Sequence, residues 1–280
     1  MRIWSHTIVK NEERWIWYAV SSVINYVERV LIWDTGSSDN TIKIVKELIK
    51  KYPGKIEFRE VGNVDPDQFT SVRGRMLERT QADWFIVNDA DEIWWEDSIK
   101  KVVDTINKKG RNLESIVVPV KNLVGDIFHY QEEAAGNYKL AGRRGHLALK
   151  AINTKIPGLS SKNPHGTWGW VDSRGNMIQE RDAKSMHFID APFLHTTHLL
   201  RGGARMYDLK TPKRYKKFKH ELGIPFSLDF YYPEVFFQSR PDIVPSPWVT
   251  MDAKFFWKSL LLTPLRKIKR RLPLGAKVGY

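Results

Sequence analysis

The sequence contains no cysteine, which excludes disulfide bonds, a thiolate nucleophile and cysteine-ligated zinc or iron–sulfur sites. It also lacks any run of about 18 apolar residues, the length that a membrane-spanning helix needs. Residues 1–14 have no apolar segment of the kind found in secretory signals. From these absences we expect a protein of the reducing cytoplasm.

The chain does have enough apolar sequence for a large core. Of its 280 residues, 42% are hydrophobic and 11 are tryptophan, a composition that argues against general disorder. The length suits one large α/β domain, or a catalytic domain with an appendage.

The positive charge is concentrated at one end of the chain. The formal net charge is +13, but residues 254–280 hold eight basic residues and no acidic residue, so residues 1–253 carry only +5. A basic face spread over the whole domain would indicate nucleic-acid binding. The observed distribution does not, and we expect no nucleic-acid partner.

Strand-like and helix-like apolar patterns alternate along the first part of the chain. The patterns predict strands at residues 3–9, 30–33, 56–61, 84–87 and 115–120. They predict helices at residues 12–26, 42–52 and 71–80. Such alternation indicates an α/β fold with a parallel sheet, in which ligands bind beyond the carboxyl ends of the strands.

Three polar loops follow predicted strands, at residues 10–13, 34–40 and 88–92. None contains a phosphate-binding G-x-x-x-x-G-K-[ST] sequence, and no G-x-G-x-x-G follows the first strand. Classical P-loop and dinucleotide-binding functions therefore lose their main support.

The third loop carries Asp89 and Asp91 directly after an apolar strand. Carboxylate oxygens are hard ligands that suit Mg²⁺ or Mn²⁺. An ion held there would bridge a diphosphate and offset the charge of a leaving nucleoside diphosphate. The alternative is a turn before a helix, where acidic residues interact favourably with the helix dipole.

Four segments together resemble glycosyltransferase family 2, whose enzymes have the GT-A nucleotide-diphospho-sugar transferase fold. They are V-K-N-E-E, I-W-D-T-G-S-S-D-N-T, S-V-R-G and D-W-F-I-V-N-D-A-D-E, which begin at Val9, Ile32, Ser71 and Asp83. The resemblance implies a mostly parallel central sheet flanked by helices. It predicts a catalytic domain at residues 1–210, with a nucleotide-sugar half at 1–100 and an acceptor half at 101–210. Beyond residue 210 the composition, not the resemblance, predicts a C-terminal helical extension at 211–253 and a basic amphipathic tail at 254–280.

The resemblance also implies a role for individual residues. Those expected to bind the donor are Asn11, Glu12, Asp34, Thr35, Arg73 and Asp89. Asp91 matches the metal ligand of the D-x-D pair, and Asp89 would lie nearer the ribose or the metal. Thr35 stands where many relatives have a second acid, so base recognition could differ. The Asp34 loop has an alternative explanation, because Asp and Ser are also ordinary turn and N-cap residues.

An inverting transfer needs a carboxylate that takes the proton of the acceptor hydroxyl. The candidates in the second half of the chain are Asp172, Glu132, Glu133, Glu180 and Asp190. Some related families carry the base in an H-E pair, but here Gly166 follows His165. We choose Asp172 as the catalytic residue, with Glu132 and Glu133 next.

His195 and His198 are further metal-ligand candidates, since some GT-A enzymes add a late histidine to the D-x-D metal. Three residues apart, they share one face of a helix but lie on opposite sides of a strand. A structural, hydrogen-bonded histidine is the alternative for either. Arg201 and Arg205 follow closely in the sequence and are candidates to bind diphosphate oxygens. The alternative for both is a solvated surface position.

The tail combines an apolar stripe with basic flanks, a pattern typical of interfacial helices on anionic lipid. A helix packed on the domain is the alternative.

We predict a glycosyltransferase of the cytoplasm that depends on a divalent cation, Mn²⁺ or Mg²⁺. It would use a nucleoside-diphosphate sugar as donor and a glycan or lipid-linked saccharide as acceptor. The rival functions are a sugar nucleotidyltransferase and a non-catalytic basic protein that binds membrane or nucleic acid.

Overall fold

The computed structural model describes residues 1–65, 68–163, 168–182, 184–200 and 220–271. The strands are β1 Ile3–Val9, β2 Arg29–Asp34, β3 Ile56–Glu60, β4 Trp84–Val87, β5 Glu92–Trp94, β6 Ser115–Asn122, β7 His129–Tyr130, β8 Tyr138–Leu140, β9 Arg143–Gly145, β10 Leu147–Asn153, β11 Ser160–Lys162, β12 Gly169–Val171, β13 Met186–Phe188, β14 Phe193–His195 and β15 Ile224–Pro225. The helices are α1 Ile16–Ser21, α2 Thr41–Lys51, α3 Gln68–Arg79, α4 Glu96–Lys109 and α5 Ala253–Arg271.

A nine-stranded mixed sheet forms the centre of the molecule. Its order is β3-β2-β1-β4-β10-β6-β14-β5, and β13 also pairs with β6. The pairs among β1, β2, β3 and β4 are parallel, whereas β10 runs antiparallel to both of its neighbours. Since β6 is antiparallel to β10, it runs in the same direction as β4. The prediction of a mostly parallel α/β sheet is therefore confirmed.

Helices cover both faces of this sheet. Alternate residues of a strand face opposite sides, and β2 shows the result. Ile32 packs in the cluster that contains α1, α2 and α4, whereas Leu31 and Trp33 pack against Val72 and Met76 of α3. All residues of β1 and β4 are buried, as expected for strands with helices on both sides.

The first helix is shorter than predicted. The apolar spacing predicts residues 12–26, but α1 ends at Ser21. The hydroxyl of Ser22 donates to Ala19 O at 2.8 Å, and Val23 N–H bonds to Val20 O over three residues. Such local side-chain bonding competes with regular helix. Val23, Ile24 and Val27 remain buried, which explains the apolar pattern of the segment.

Among the described residues after residue 200 there is one long helix, α5. Within the described part of residues 211–253, the regular elements are β15 and a 3₁₀ turn at Glu234–Phe236. In the ranges that the structure describes, we find no helix with the length and apolar character needed to cross a membrane.

Candidate active site

The loops after β1 and β2 are hydrogen-bonded to each other beyond the carboxyl ends of the strands. Asn11 N–H donates to Ser37 Oγ at 2.9 Å, and Ser38 N–H donates to Asn11 Oδ1 at 2.7 Å. Glu12 N–H donates to Thr41 Oγ1 at 2.8 Å. Asn11 has φ +53°, a left-handed conformation that asparagine tolerates better than most residues. Asn11 and Glu12 therefore shape this loop pair.

Asp34 ends β2 and is 1% exposed. Its Oδ1 accepts the N–H groups of Gly36 and Ser37, both at 2.9 Å. Its Oδ2 is buried and has no hydrogen-bond partner among the described residues. The hydroxyl of Thr35 instead donates to Val9 O at 3.1 Å. Asp34 thus keeps one acceptor for a ligand, whereas the hydroxyl of Thr35 is occupied by the main chain.

Arg73 on α3 brings a fixed positive charge to the loop after β4. It is 2% exposed, and one terminal nitrogen donates to Asp89 Oδ1 at 2.5 Å. Its guanidinium lies 5.2 Å from the ring centre of Phe69 and 5.0 Å from that of Trp168. Its Nε and its other terminal nitrogen are buried without a partner among the described residues. Arg73 therefore has two donors to offer an anionic ligand.

A buried ion pair between Lys150 and Glu92 lies next to this loop. Lys150 Nζ lies 2.6 Å from both Oε1 and Oε2 of Glu92, and both side chains are buried. Glu92 Oε2 also accepts Asp89 N–H at 2.9 Å. Desolvation by burial raises the pKa of Asp89, but the charges of Arg73 and Lys150 outweigh it and hold that pKa below its usual range. Asp89 is consequently a carboxylate at neutral pH.

Sequence reasoning missed Glu92 and Lys150. Glu92 was visible as the last letter of the D-A-D-E segment. Lys150 gave a weaker signal, namely a single lysine within the apolar run Leu147–Asn153.

Asp91 and His195 meet where β5 and β14 pair. His195 Nε2 lies 3.5 Å from Asp91 Oδ1, and Thr196 N–H donates to Asp91 O at 2.9 Å. In the sheet, His195 stands opposite Glu92 on one side and Asn122 on the other. His198 follows three residues later and is buried.

These side chains fit a divalent ion that is shared with a substrate. A carboxylate oxygen and an imidazole nitrogen 3.5 Å apart can both reach one ion at bond lengths of about 2.1 Å. Over the described ranges, no group of three or more His, Asp or Glu side chains converges to hold an ion by itself. Mg²⁺ sites commonly use one or two protein ligands plus substrate phosphates. The donor set therefore suits a site that a diphosphate would complete.

The loop that contains Glu132 is hydrogen-bonded to Asn122, next to this cluster, and the Glu132 carboxylate accepts from Arg270 at 2.9 Å. Gln131 N–H donates to Asn122 O at 2.8 Å, and Glu132 O is 3.0 Å from His146 Nε2. His146 Nδ1 in turn is 2.9 Å from the side-chain nitrogen of Asn122, whose main chain pairs with His195. The 3₁₀ turn Glu133–Ala135 follows immediately. The structure therefore brings the loop of Glu132 and Glu133 to the end of β6 at which Asp91 and His195 lie.

Asp172 is held elsewhere, and the choice of it as general base is corrected. Its Oδ2 pairs with Arg181, which also binds both oxygens of Glu114 at 2.7 Å. Glu114 precedes the first residue of β6, whereas Asn122, the last, is the one beside His195. A strand rises about 3.3 Å per residue, so β6 separates the two ends by roughly 23 Å. Asp172 belongs to an ion-pair network at the opposite end of β6 from His195.

Five further candidates from the sequence are not part of the contacts described above. Glu180 and Asp190 are exposed. His165, Arg201 and Arg205 lie outside the described residues.

Comparison with known proteins gives the family. The sequence model of "Glycosyl transferase family 2" matches residues 6–166. The chain belongs to glycosyl transferase family 2. That match covers more than half of the chain and includes the D-x-D loop, so the resemblance inferred from the motifs is confirmed. The mostly parallel sheet flanked by helices agrees with the GT-A fold that the resemblance implied.

Individual relatives are more distant. The chain is 29% identical over 144 residues to dTDP-rhamnosyl transferase RfbG of Shigella flexneri, a match that covers 45% of this chain and 49% of the relative. The chain thus spans about half the length of that curated relative.

Solved structures with similar folds have low identity. TarS 1–349 of S. aureus in complex with UDP-GlcNAc has 15% identity and a TM-score of 0.46, with 74% of this chain and 61% of that one covered. Glucosyl-3-phosphoglycerate synthase of Mycobacterium tuberculosis, in complex with Mn²⁺ and UDP-glucose, has 15% identity and a TM-score of 0.43, with 74% and 73% covered.

Proposed function

We propose that the protein transfers a sugar from a nucleoside-diphosphate sugar to a glycan acceptor, with inversion and with the help of Mn²⁺ or Mg²⁺. The observation that carries the proposal is the approach of His195 to Asp91 at 3.5 Å, next to the Arg73–Asp89 pair. In this proposal residues 1–100 hold the donor and residues 101–210 the acceptor.

The donor lies over the loops that follow β1, β2 and β4. Asp34 offers its second carboxylate oxygen to the base or ribose, because its first oxygen is used within the turn. Arg73 directs its two remaining donors at the nucleotide. Asp89 stays ionised beside it and takes the ribose hydroxyls or the ion.

The cation is held by Asp91 and His195, with His198 as a further candidate ligand. When bound, such an ion offsets the negative charge that develops on the departing nucleoside diphosphate. Lys150 limits the repulsion among the acidic groups of this loop, because its ammonium group is the nearest buried cation to Glu92.

Glu132 is the proposed general base, with Glu133 as the alternative. The acceptor hydroxyl oxygen attacks the anomeric carbon, the bond from that carbon to the diphosphate oxygen breaks, and the hydroxyl proton passes to the carboxylate. The position of the Glu132 loop beside Asn122 and His195 supports this role. A cytoplasmic, lipid-linked saccharide is the acceptor that the basic C-terminal helix favours.

The test is a panel of UDP-, GDP- and dTDP-sugars, with dTDP-rhamnose among them, since one relative is named for that donor. Thermal shift and nucleotide release are measured with and without Mn²⁺. We expect one donor to raise the melting temperature only when Mn²⁺ is present. Asp91→Asn should abolish this response, whereas Asp97→Asn, which changes an exposed acid on α4, should retain it.

Two other outcomes would contradict the proposal. Release of pyrophosphate from a nucleoside triphosphate and a sugar phosphate would indicate a sugar nucleotidyltransferase. Absence of any response to nucleotide sugars, together with salt-sensitive binding to nucleic acid, would indicate a non-catalytic basic protein.

A further inference from the structure

The C-terminal helix α5 packs on the domain through one face. Ser259 and Thr263 are buried, and Thr263 Oγ1 accepts the N–H of Leu222 at 2.8 Å. Arg270, near the end of the helix, binds Glu221 Oε2 at 2.6 Å. These three helix residues lie on one side because their spacings of four and seven approximate whole turns.

The opposite face of α5 is apolar and exposed. Trp257, Leu261, Leu265 and Ile268 follow one another at helical spacing and form one stripe. They retain 63%, 76%, 64% and 61% of their surface, respectively. Four large apolar side chains exposed in one row are unusual for a protein surface and indicate an interaction site.

Basic residues border this stripe on both sides. At about 100° per residue, Lys258 and Lys269 lie along one edge and Lys267 and Arg271 along the other. Residues 253–271 contain no acidic residue. A helix with an apolar stripe and cationic flanks matches the interface of an anionic bilayer, where apolar side chains enter the acyl boundary and cations meet headgroups.

The two other partner classes fit this face less well. Nucleic acid would use the cations, and a base can stack on Trp257, but it offers no apolar surface for the three exposed aliphatic side chains in the same row. A second copy of the chain would bring the same cations against one another, and like charges facing across an interface are unfavourable.

We infer that the outward face of α5 is a docking surface for a bilayer that contains anionic lipid. The inward face of α5 contacts the proposed catalytic loop, because Arg270 also binds Glu132 Oε1 at 2.9 Å. Docking through α5 therefore holds the Glu132 loop close to the lipid surface. This inference concerns binding and does not depend on the sugar-transfer reaction.

The test is cosedimentation of the full chain with vesicles at low salt. We expect binding to vesicles of phosphatidylcholine with phosphatidylglycerol and little binding to phosphatidylcholine alone. Leu261→Ser combined with Ile268→Ser should weaken binding roughly tenfold or more, because two apolar side chains no longer enter the bilayer. Lys258→Gln combined with Lys269→Gln should weaken it about 30-fold.

The matched control is Lys100→Gln combined with Lys101→Gln, which removes two exposed cations from α4 and should leave binding near that of the unaltered chain. Circular dichroism checks that each variant retains its helices. Loss of binding in the charge variant with none in the apolar variant would overturn the inference, because the contact would then be purely electrostatic, as with nucleic acid. A dimer that Leu261→Ser dissociates, without vesicle binding, would overturn it in favour of a second copy.

Discussion

Lys150 holds its ammonium nitrogen 2.6 Å from both carboxylate oxygens of Glu92, and neither side chain is exposed. The pair joins β10, the antiparallel strand at the centre of the sheet, to the start of β5. Through Asp89 N–H, which donates to Glu92 Oε2, it also fixes the main chain of the D-x-D loop. The lysine is therefore a positioning residue for the proposed metal and donor site.

Removing only one member of this pair should be costly. Lys150→Met should lower the free energy of unfolding by about 3–5 kcal/mol, because an uncompensated carboxylate stays buried. Lys150→Met combined with Glu92→Gln should be more stable than Lys150→Met alone, since the second change removes that charge and keeps an acceptor for Asp89 N–H. Urea unfolding of both single variants and the double variant measures the coupling. Additive losses would show that the two charges do not depend on each other.

Asp91 and His195 should act as one unit in metal-dependent donor binding. Asp91→Asn and His195→Gln should each remove most of the Mn²⁺-dependent affinity for the donor, and the double variant should lose little more. The reason is that either change leaves the ion with a single protein ligand from this pair. Calorimetric titration of donor with and without Mn²⁺ measures it. If the two losses simply add, the side chains do not hold the same ion.

Strands β2 and β4 were predictable because each contains a short, continuous apolar run, Val30–Trp33 and Trp84–Val87, followed by polar loop residues. Their burial on both faces removes any alternation, so a local pattern is enough to find them. The residues of the D-x-D loop were predictable for the same reason, since they directly follow β4.

The rest of the site depends on contacts that join distant parts of the chain. The lysine in β10 resembles a strand-breaking charge until Glu92 is placed against it. Asp172 looked catalytic among glycine- and tryptophan-rich turns, but its partner Arg181 and the more distant Glu114 decide its role. Neither relation has a local signal, because the sequence between the partners carries no periodicity that would bring them together.

Asp172→Asn should affect stability more than transfer. Its Oδ1 accepts the N–H groups of Arg174 and Asn176, and its Oδ2 pairs with Arg181, so the change weakens a turn and an ion pair far from the donor. We expect a lower free energy of unfolding and a turnover within a few-fold of the unaltered enzyme. Thermal unfolding and initial rates below the melting temperature measure the two effects.

Glu132→Gln should lower the rate of sugar transfer about 10²–10⁴-fold and leave the affinity for the donor unchanged, because a general base acts on the acceptor proton. Arg270→Gln provides the matched control for Glu132, since it removes the partner of the carboxylate and leaves the carboxylate itself. A normal rate for Glu132→Gln together with a large loss for Glu133→Gln would move the base by one residue.

His6 should make the protein sensitive to acid. It is buried in β1 and stacks on Phe85 at 4.4 Å, and its Nε2 lies 2.6 Å from Thr80 Oγ1. The Thr80 hydroxyl donates its hydrogen to Met76 O, so it accepts from Nε2–H. The Nδ1 that would take a second proton is buried without a partner among the described residues. Burial, followed by the charge of Arg73, lowers the pKa of His6 to about 3.

The unfolded chain protonates this histidine below about pH 6.5, whereas the folded protein excludes the proton until the pH reaches the lowered pKa. The free energy of unfolding should therefore fall as the pH drops through this window, by roughly 2 kcal/mol at pH 5 from His6 alone. His6→Gln, which keeps a donor for Thr80 but does not titrate, should lose less stability than the unaltered protein between pH 7 and pH 5. His187→Gln, at a half-buried position, is the matched control and should change this slope less. Urea unfolding at a series of pH values measures the slopes, and parallel curves for His6→Gln and the unaltered protein would mean that the folded state accepts the proton after all.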